Sequence, residues 1–241
     1  MEVKRVALVL ADISGYTAFM RHHDTSILHA EQIITELLET VIDSSDHPLQ
    51  VSKIEGDAVF FYAVADDDAA TAKDVLRQAV AFSKAFAAKE RELIGRSYCT
   101  CDACTQIDKL KLKIILHFGD VAFKRVKHFE ELAGRDVILI HRLLKNSIPS
   151  KEYILMTKAF NALAGELPGQ RREARTEDAE GIGKVEMVVF YPDQVAQPIV
   201  QPVVQNPTWQ RAAFTTRLLV HMWLRKFGLA RPVASFENMP N

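Results

Sequence analysis

The sequence predicts an α+β fold, a ferredoxin-like βαββαβ sandwich with additions at its C-terminal side. Three observations predict it. The apolar run RVALVLA from Arg5 reads as a buried strand, and a long segment with helical spacing follows it. Two strand-like stretches, LQVSKI and AVFFYAV, then flank Glu55-Gly56-Asp57, a strong hairpin signal. A second long helical segment and a second apolar strand, KIILHFG, complete the alternation. That order places helices on one face of a largely antiparallel sheet.

Taken in order, strand one covers Val3 to Leu10 and ends on Asp12 and the turn Ile13-Ser14-Gly15-Tyr16-Thr17. Thr17 to Ser44 reads as helix, broken near Asp24-Thr25-Ser26, where Asp24 or Ser26 can cap a second helix. Ile27, Ala30, Ile34, Leu37, Leu38 and Val41 form its buried stripe. After the hairpin, a helix runs from Asp66–Asp68 to about Leu93, burying Val75, Ala79, Phe82 and Phe86. KLKLKIILHFGDVAF reads as a central strand with a turn at Gly119-Asp120. Gly134 to Asn146 reads as helix, YILMT as strand, Gln170 to Glu180 as a polar stretch, and KVEMVVFY as the closing strand. This core occupies 1–192. A proline-punctuated linker, 193–207, leads to a helix and tail, 208–241.

The chain has 241 residues, 48% hydrophobic and 25% charged, an ordinary globular composition with room for a sizeable core. Net charge is −1, so no basic excess points to nucleic acid. The N-terminus reaches Asp12 too soon for a signal peptide, and no apolar run approaches the ~20 residues of a membrane span. A cytoplasmic protein is the expectation. The tail helix carries Trp209, Ala213, Thr216, Val220, Trp223 and Phe227 in a stripe that favours docking on protein over contact with a membrane surface.

In such a sheet strand one lies in the middle, beside the strand that follows the first helix, so Asp12 and the hairpin tip at Asp57 approach each other. Two adjacent carboxylates repel unless a cation sits between them, and a pair of magnesium or manganese ions bridging to nucleotide phosphates suits them. The Gly15-Tyr16-Thr17 turn offers backbone N–H groups to an anion. Read singly, Asp12 is better explained as a helix cap and Asp57 as a turn residue; together with Lys53 they favour the metal site. Cys99, Cys101 and Cys104 form a C-x-C-x-x-C cluster, suited to one Zn2+ or to reduced thiols in a loop; no fourth ligand is evident.

Five ordered stretches carry a family resemblance. LADISGYTAF resembles the opening motif of class III nucleotide cyclases, and SKIEGDAVFF resembles their Lys-x-x-Gly-Asp hairpin. LKIILHFGDV, LAGRDVILIHRL and EGIGKVEMVVFY are similar to the strand, helix and closing strand that follow. HRLLKN and the cysteine cluster resemble an uncharacterised bacterial branch carrying a domain of unknown function. The resemblance implies a nucleotide cyclase fold in which Asp12, Asp57 and the Ile13 carbonyl hold two Mg2+ or Mn2+ ions. It implies that Lys53 reads the base, with Glu131 as a second base-reading position, and that Arg142 stabilises charge on the reacting phosphate. It further implies a homodimer with metals from one chain and the arginine from the other. The implied reaction converts a nucleoside triphosphate, ATP by preference, into a 3′,5′-cyclic nucleotide and pyrophosphate. The family's transition-state asparagine falls at Ile138, which donates no side-chain hydrogen bond. His141, on roughly the same helical face, is the candidate substitute. Two expectations follow: a cyclase with substituted parts, or a catalytically silent module of the same fold that senses nucleotide or scaffolds a dimer. The nucleotide base, the stimulus and the downstream partner are not legible.

Overall fold

The computed structural model describes residues 2–20, 24–96 and 102–192, together with positions 216 and 220. The linker, the bulk of the tail helix, Cys99 and Cys101 lie outside the described residues. One mixed sheet in the order β2-β3-β1-β4-β6-β8-β7 organises the chain, with β5 added on β4. Its strands are β1 (Glu2–Ser14), β2 (Gln50–Glu55), β3 (Ala58–Val64), β4 (Lys111–Val126), β5 (Phe129–Ala133), β6 (Tyr153–Thr157), β7 (Arg171–Ala179) and β8 (Gly183–Tyr191). The helices are α1 (Tyr16–Phe19), α2 (Asp24–Asp43), α3 (Asp68–Arg96), α4 (Asp102–Thr105), α5 (Arg135–Arg142) and α6 (Lys158–Ala164).

Alternation along β1 splits the core in two. Ala7, Val9, Ala11 and Ile13 face a cluster with Ile34, Leu37, Val75, Phe82 and Phe160, so α2, α3 and α6 cover that side. Val6, Leu8 and Leu10 face Phe60, Ile115, Ile140 and Leu155, and α5 is the helix that packs there. Asp12 shares the parity of Leu10. Its register partners, Ala58 on β3 and Lys113 on β4, lie on the α5 side with it. Lys53 and Glu55 on β2 pair with Phe60 and Ala58 and take the same side.

Several boundaries differ from the sequence reading. Strand one runs on to Ser14, so Asp12 stands inside the ladder. It pairs with β3, the second hairpin strand, because the antiparallel partner of a central strand here is the one returning from the turn. Gly119-Asp120 does not turn; β4 continues through it to Val126, and the reversal comes at Lys127, which holds φ 57. The polar stretch after Gln170 is β7, an edge strand whose charges on both faces hide its period. Helix α5 ends at Arg142. The first helical segment divides into α1 and α2 as expected, the second helix starting at Asp24.

Candidate functional site

Asp12 is no helix cap. The cap of α1 is Gly15 at φ 97, with no side-chain hydrogen bond, and a Cβ there would stand 2.9 Å from the Lys109 carbonyl oxygen. Only glycine fits that approach and that φ. Asp12 instead ion-pairs with Lys113, Nζ to Oδ2 at 2.9 Å. The hairpin tip meets it from the side: the Ile13 N–H donates to the Asp57 carbonyl at 3.1 Å. The Asp57 carboxyl is pushed up to about 6, first by burial and then by the charge on Asp12, against the opposing pull of a backbone hydrogen bond and Lys113. Two carboxylates therefore share one partly dry corner with one lysine. Lys113 escaped the sequence reading because it is one of three alternating lysines in KLKLKI, which look like solvent-facing strand residues; its register opposite Asp12 is the signal. Tyr16 stands close enough for the negative charges of Glu31 and Asp57, after burial, to raise its phenol. With a single turn, α1 contributes little dipole to anion binding.

A second cluster lies on the same side of the sheet. Lys53 Nζ is 2.7 Å from Glu55 Oε1, and Glu55 Oε2 is 3.0 Å from His141 Nε2. His141 Nδ1 is 2.7 Å from the Val137 carbonyl oxygen, and its ring packs edge-on to Phe60 with centroids 4.9 Å apart. Both ring nitrogens thus face oxygen atoms, one of the backbone and one of Glu55. Burial raises the Glu55 carboxyl, yet the Lys53 hydrogen bond and the positive charges of His141 and Lys53 outweigh it and hold it below its usual range. Glu55 was missed by sequence reasoning, since hairpin-flanking glutamates are usually solvated.

The remaining residues are placed elsewhere. Arg142 pairs with Glu180 in the turn between β7 and β8. Glu131, opposite Lys124 on the β4–β5 arm, lines an open cleft of about 520 Å3 with Lys4, Ser52 and Tyr62. Ile138 is 54% exposed. Asn146 offers no spare amide, because its Nδ2 donates to the Leu143 carbonyl and the Tyr153 hydroxyl, each at 2.7 Å. His117 is buried, Nδ1 2.9 Å from Thr157 Oγ1 and Nε2 3.1 Å from Asp136 Oδ1. Cys104 Sγ lies 3.7 Å from His29 Nδ1. Among the described residues, no group of three or more His, Cys, Asp or Glu side chains is arranged to hold a metal ion. The Asp12–Asp57 pair offers two hard oxygen donors, which fit Mg2+ or Mn2+ supplemented by water and phosphate oxygens. Among the described residues, no helix is long and apolar enough to cross a membrane.

Comparison with known proteins agrees with this architecture. The model of a family described as a protein of unknown function, DUF2652, matches residues 34–153. The uncharacterised protein Rv2561/Rv2562 of Mycobacterium tuberculosis is 36% identical over 151 residues, which cover 63% of this chain and 69% of that protein. Among solved structures, the adenylyl cyclase CyaB of P. aeruginosa superposes with a TM-score of 0.61 at 14% identity, covering 80% of this chain and 95% of its own. The guanylate cyclase domain of RhGC from Catenaria anguillulae, solved in complex with GTP, gives 0.53 at 16% identity, covering 79% and 98%. The fold is that of the class III nucleotide cyclases.

Proposed function

We propose, for a chain that belongs to one family with the mycobacterial protein Rv2561/Rv2562 and carries the nucleotide cyclase fold, that Asp12 and Asp57 bind a nucleoside triphosphate through divalent metal ions. The observation that carries this reading is the convergence of two carboxylates in one corner, where burial first and the charge of Asp12 second raise Asp57 to about 6. A protein keeps such a pair where a cation is to be held. Magnesium or manganese there would supply Lewis-acid polarisation of phosphate oxygens.

The domain of 1–192 acts as a homodimer, with the linker and tail appended. In the reaction, the ribose 3′-oxygen bonds to the α-phosphorus, the bond to pyrophosphate breaks, and the 3′-hydroxyl proton leaves to a base or water. Lys53 and Glu55 line the face that would meet the base, with ATP as the favoured substrate. Arg142, released from Glu180, supplies positive charge to the phosphate. A second reading is favoured by one specific feature. Ile138 is exposed where the fold's relatives are expected to place a donor, which suits a silent nucleotide-sensing or scaffolding module.

Incubating the purified chain with each ribonucleoside triphosphate and Mn2+, then resolving products by mass spectrometry, separates the two. Cyclic nucleotide from wild type and none from Asp57→Ala supports the enzyme. Nucleotide and Mn2+ that stabilise the chain without turnover support the module.

A further inference from the structure

We propose that the cleft of about 820 Å3 between α5 and strands β4, β6 and β8 binds an organic monocarboxylate, with Arg135 and Lys184 taking the carboxylate. The site is separate from the Asp12–Asp57 corner and does not rest on the nucleotide reading. His117, on its floor, is four residues along β4 from Lys113, about 13 Å at roughly 3.3 Å per residue.

The floor is polar where the strand around it is not. Ile115 and Val121, on the same face of β4, belong to the apolar core. His117 between them is 5% exposed, and Thr157 beside it on β6 is 2% exposed. Burying such groups is costly unless each is hydrogen-bonded. Nδ1 of His117 is satisfied, 2.9 Å from Thr157 Oγ1. Nε2 stands 3.1 Å from Asp136 Oδ1, yet it completes no hydrogen bond among the described residues. Asp136 reaches that place only because residue 119 is glycine. A Cβ there would stand 2.2 Å from Asp136 Oδ2, which accepts from the Asp120 N–H at 2.8 Å. A buried ring nitrogen without its bond, on the floor of a cleft of ligand size, is where a ligand atom gains most.

The rim supplies the charge. Arg135, Lys158 and Lys184 line the cleft against Asp136 and Glu186, which leaves one positive charge in surplus with His117 neutral. Lys158 is paired with Glu186. Arg135 has only the Ile182 carbonyl, 3.5 Å from Nη2, and among the described residues neither it nor Lys184 forms an ion pair. A planar carboxylate matches the fork of a guanidinium. One negative charge balances the surplus, whereas a dianionic phosphate would be opposed more strongly by Asp136 and Glu186. Leu139, Ile182 and Val185 give the cleft an apolar wall for the rest of the ligand.

The test uses the full chain with sodium benzoate as the probe, and with benzamide and inorganic phosphate at matched ionic strength. Isothermal titration is expected to give a benzoate Kd below about 1 mM, no benzamide binding, and phosphate weaker by at least about tenfold. Arg135 and Lys184 are exposed, so Arg135→Gln and Lys184→Gln should fold normally. Each should weaken benzoate by about tenfold or more, the worth of one hydrogen bond to a charged group. In proton NMR, benzoate should move the His117 ring signals more than those of any other histidine. The proposal is overturned by benzoate that binds no better than benzamide, or by an affinity that neither variant changes. It is equally overturned by phosphate binding as tightly as benzoate, which would leave a plain oxyanion site. None of these readouts uses nucleotide or metal, so this proposal and the cyclase reading fail independently.

Discussion

The Lys113 ammonium stands 2.9 Å from the Asp12 carboxylate, on neighbouring strands where the two residues are direct register partners. Their side chains are only 19% and 14% exposed, so either charge left alone is poorly hydrated. Lys113→Gln is expected to lower the stability of the metal-free chain by about 1–3 kcal/mol, short of the ~3–5 kcal/mol of a fully buried pair. Adding Asp12→Asn should return most of that loss. Urea denaturation of both single variants and the double variant measures the coupling, and strictly additive losses would remove the pair from the account.

Asp57 sets the pH dependence of the same corner. Its carboxyl lies at about 6 against an ordinary 3.8, through burial first and Asp12 second. Between those values the folded chain keeps a proton that the unfolded chain has released. The Asp57 contribution to stability is therefore fully present below about 3.8 and is lost as pH rises through about 6. Above that range two charged carboxylates share the corner with Lys113 paired to Asp12, and a divalent cation has most to gain. Mn2+ should raise the melting temperature more above pH ~6 than below it, and Asp57→Asn should flatten both the metal-free profile and the metal effect.

How far the site was legible follows from the same residues. The approach of Asp12 and Asp57 was readable because Asp12 follows a strongly patterned apolar run and Asp57 stands in a Gly-Asp hairpin turn, so the order of elements brings them to one corner. Lys113 and Glu55 were not, since each is defined by a partner on another strand, and pairing register is invisible to local pattern. Strand β7 was missed for a related reason: an edge strand with charges on both faces carries no period of two.

Glu55 bridges Lys53 and His141, and it makes a testable contribution. Burial raises its carboxyl, while the Lys53 hydrogen bond and the nearby positive charges bring the net value below the usual range. A lowered carboxyl stabilises the fold above its unfolded value, and that share is lost as pH falls through the folded value. The three side chains are each about a third exposed, so the stake is small. Glu55→Gln should cost no more than about 1 kcal/mol at neutral pH, with the difference from wild type closing in acid. Denaturation at several pH values checks this; a gap that persists in acid would point to lost packing rather than lost charge.

Ile138 decides between the enzyme and the module. It is 54% exposed on α5, and its backbone N–H is already bonded to the Gly134 carbonyl, so only its side chain is at issue. Asn146 cannot lend an amide, being bonded to Leu143 and Tyr153. Replacing an exposed isoleucine by asparagine leaves the core intact and should change stability by no more than about 0.5 kcal/mol. A preorganised donor aimed at developing charge is worth about 10²–10³ in rate. Ile138→Asn should therefore raise cyclic nucleotide formation in Mn2+ by about that factor, or bring it above detection, and Asp57→Ala in the same background should abolish it. Size-exclusion chromatography guards against a different cause, because an exposed apolar side chain can also seat a second chain. A variant that keeps the wild-type oligomeric state, binds nucleotide and yields no product would assign the chain to the silent module.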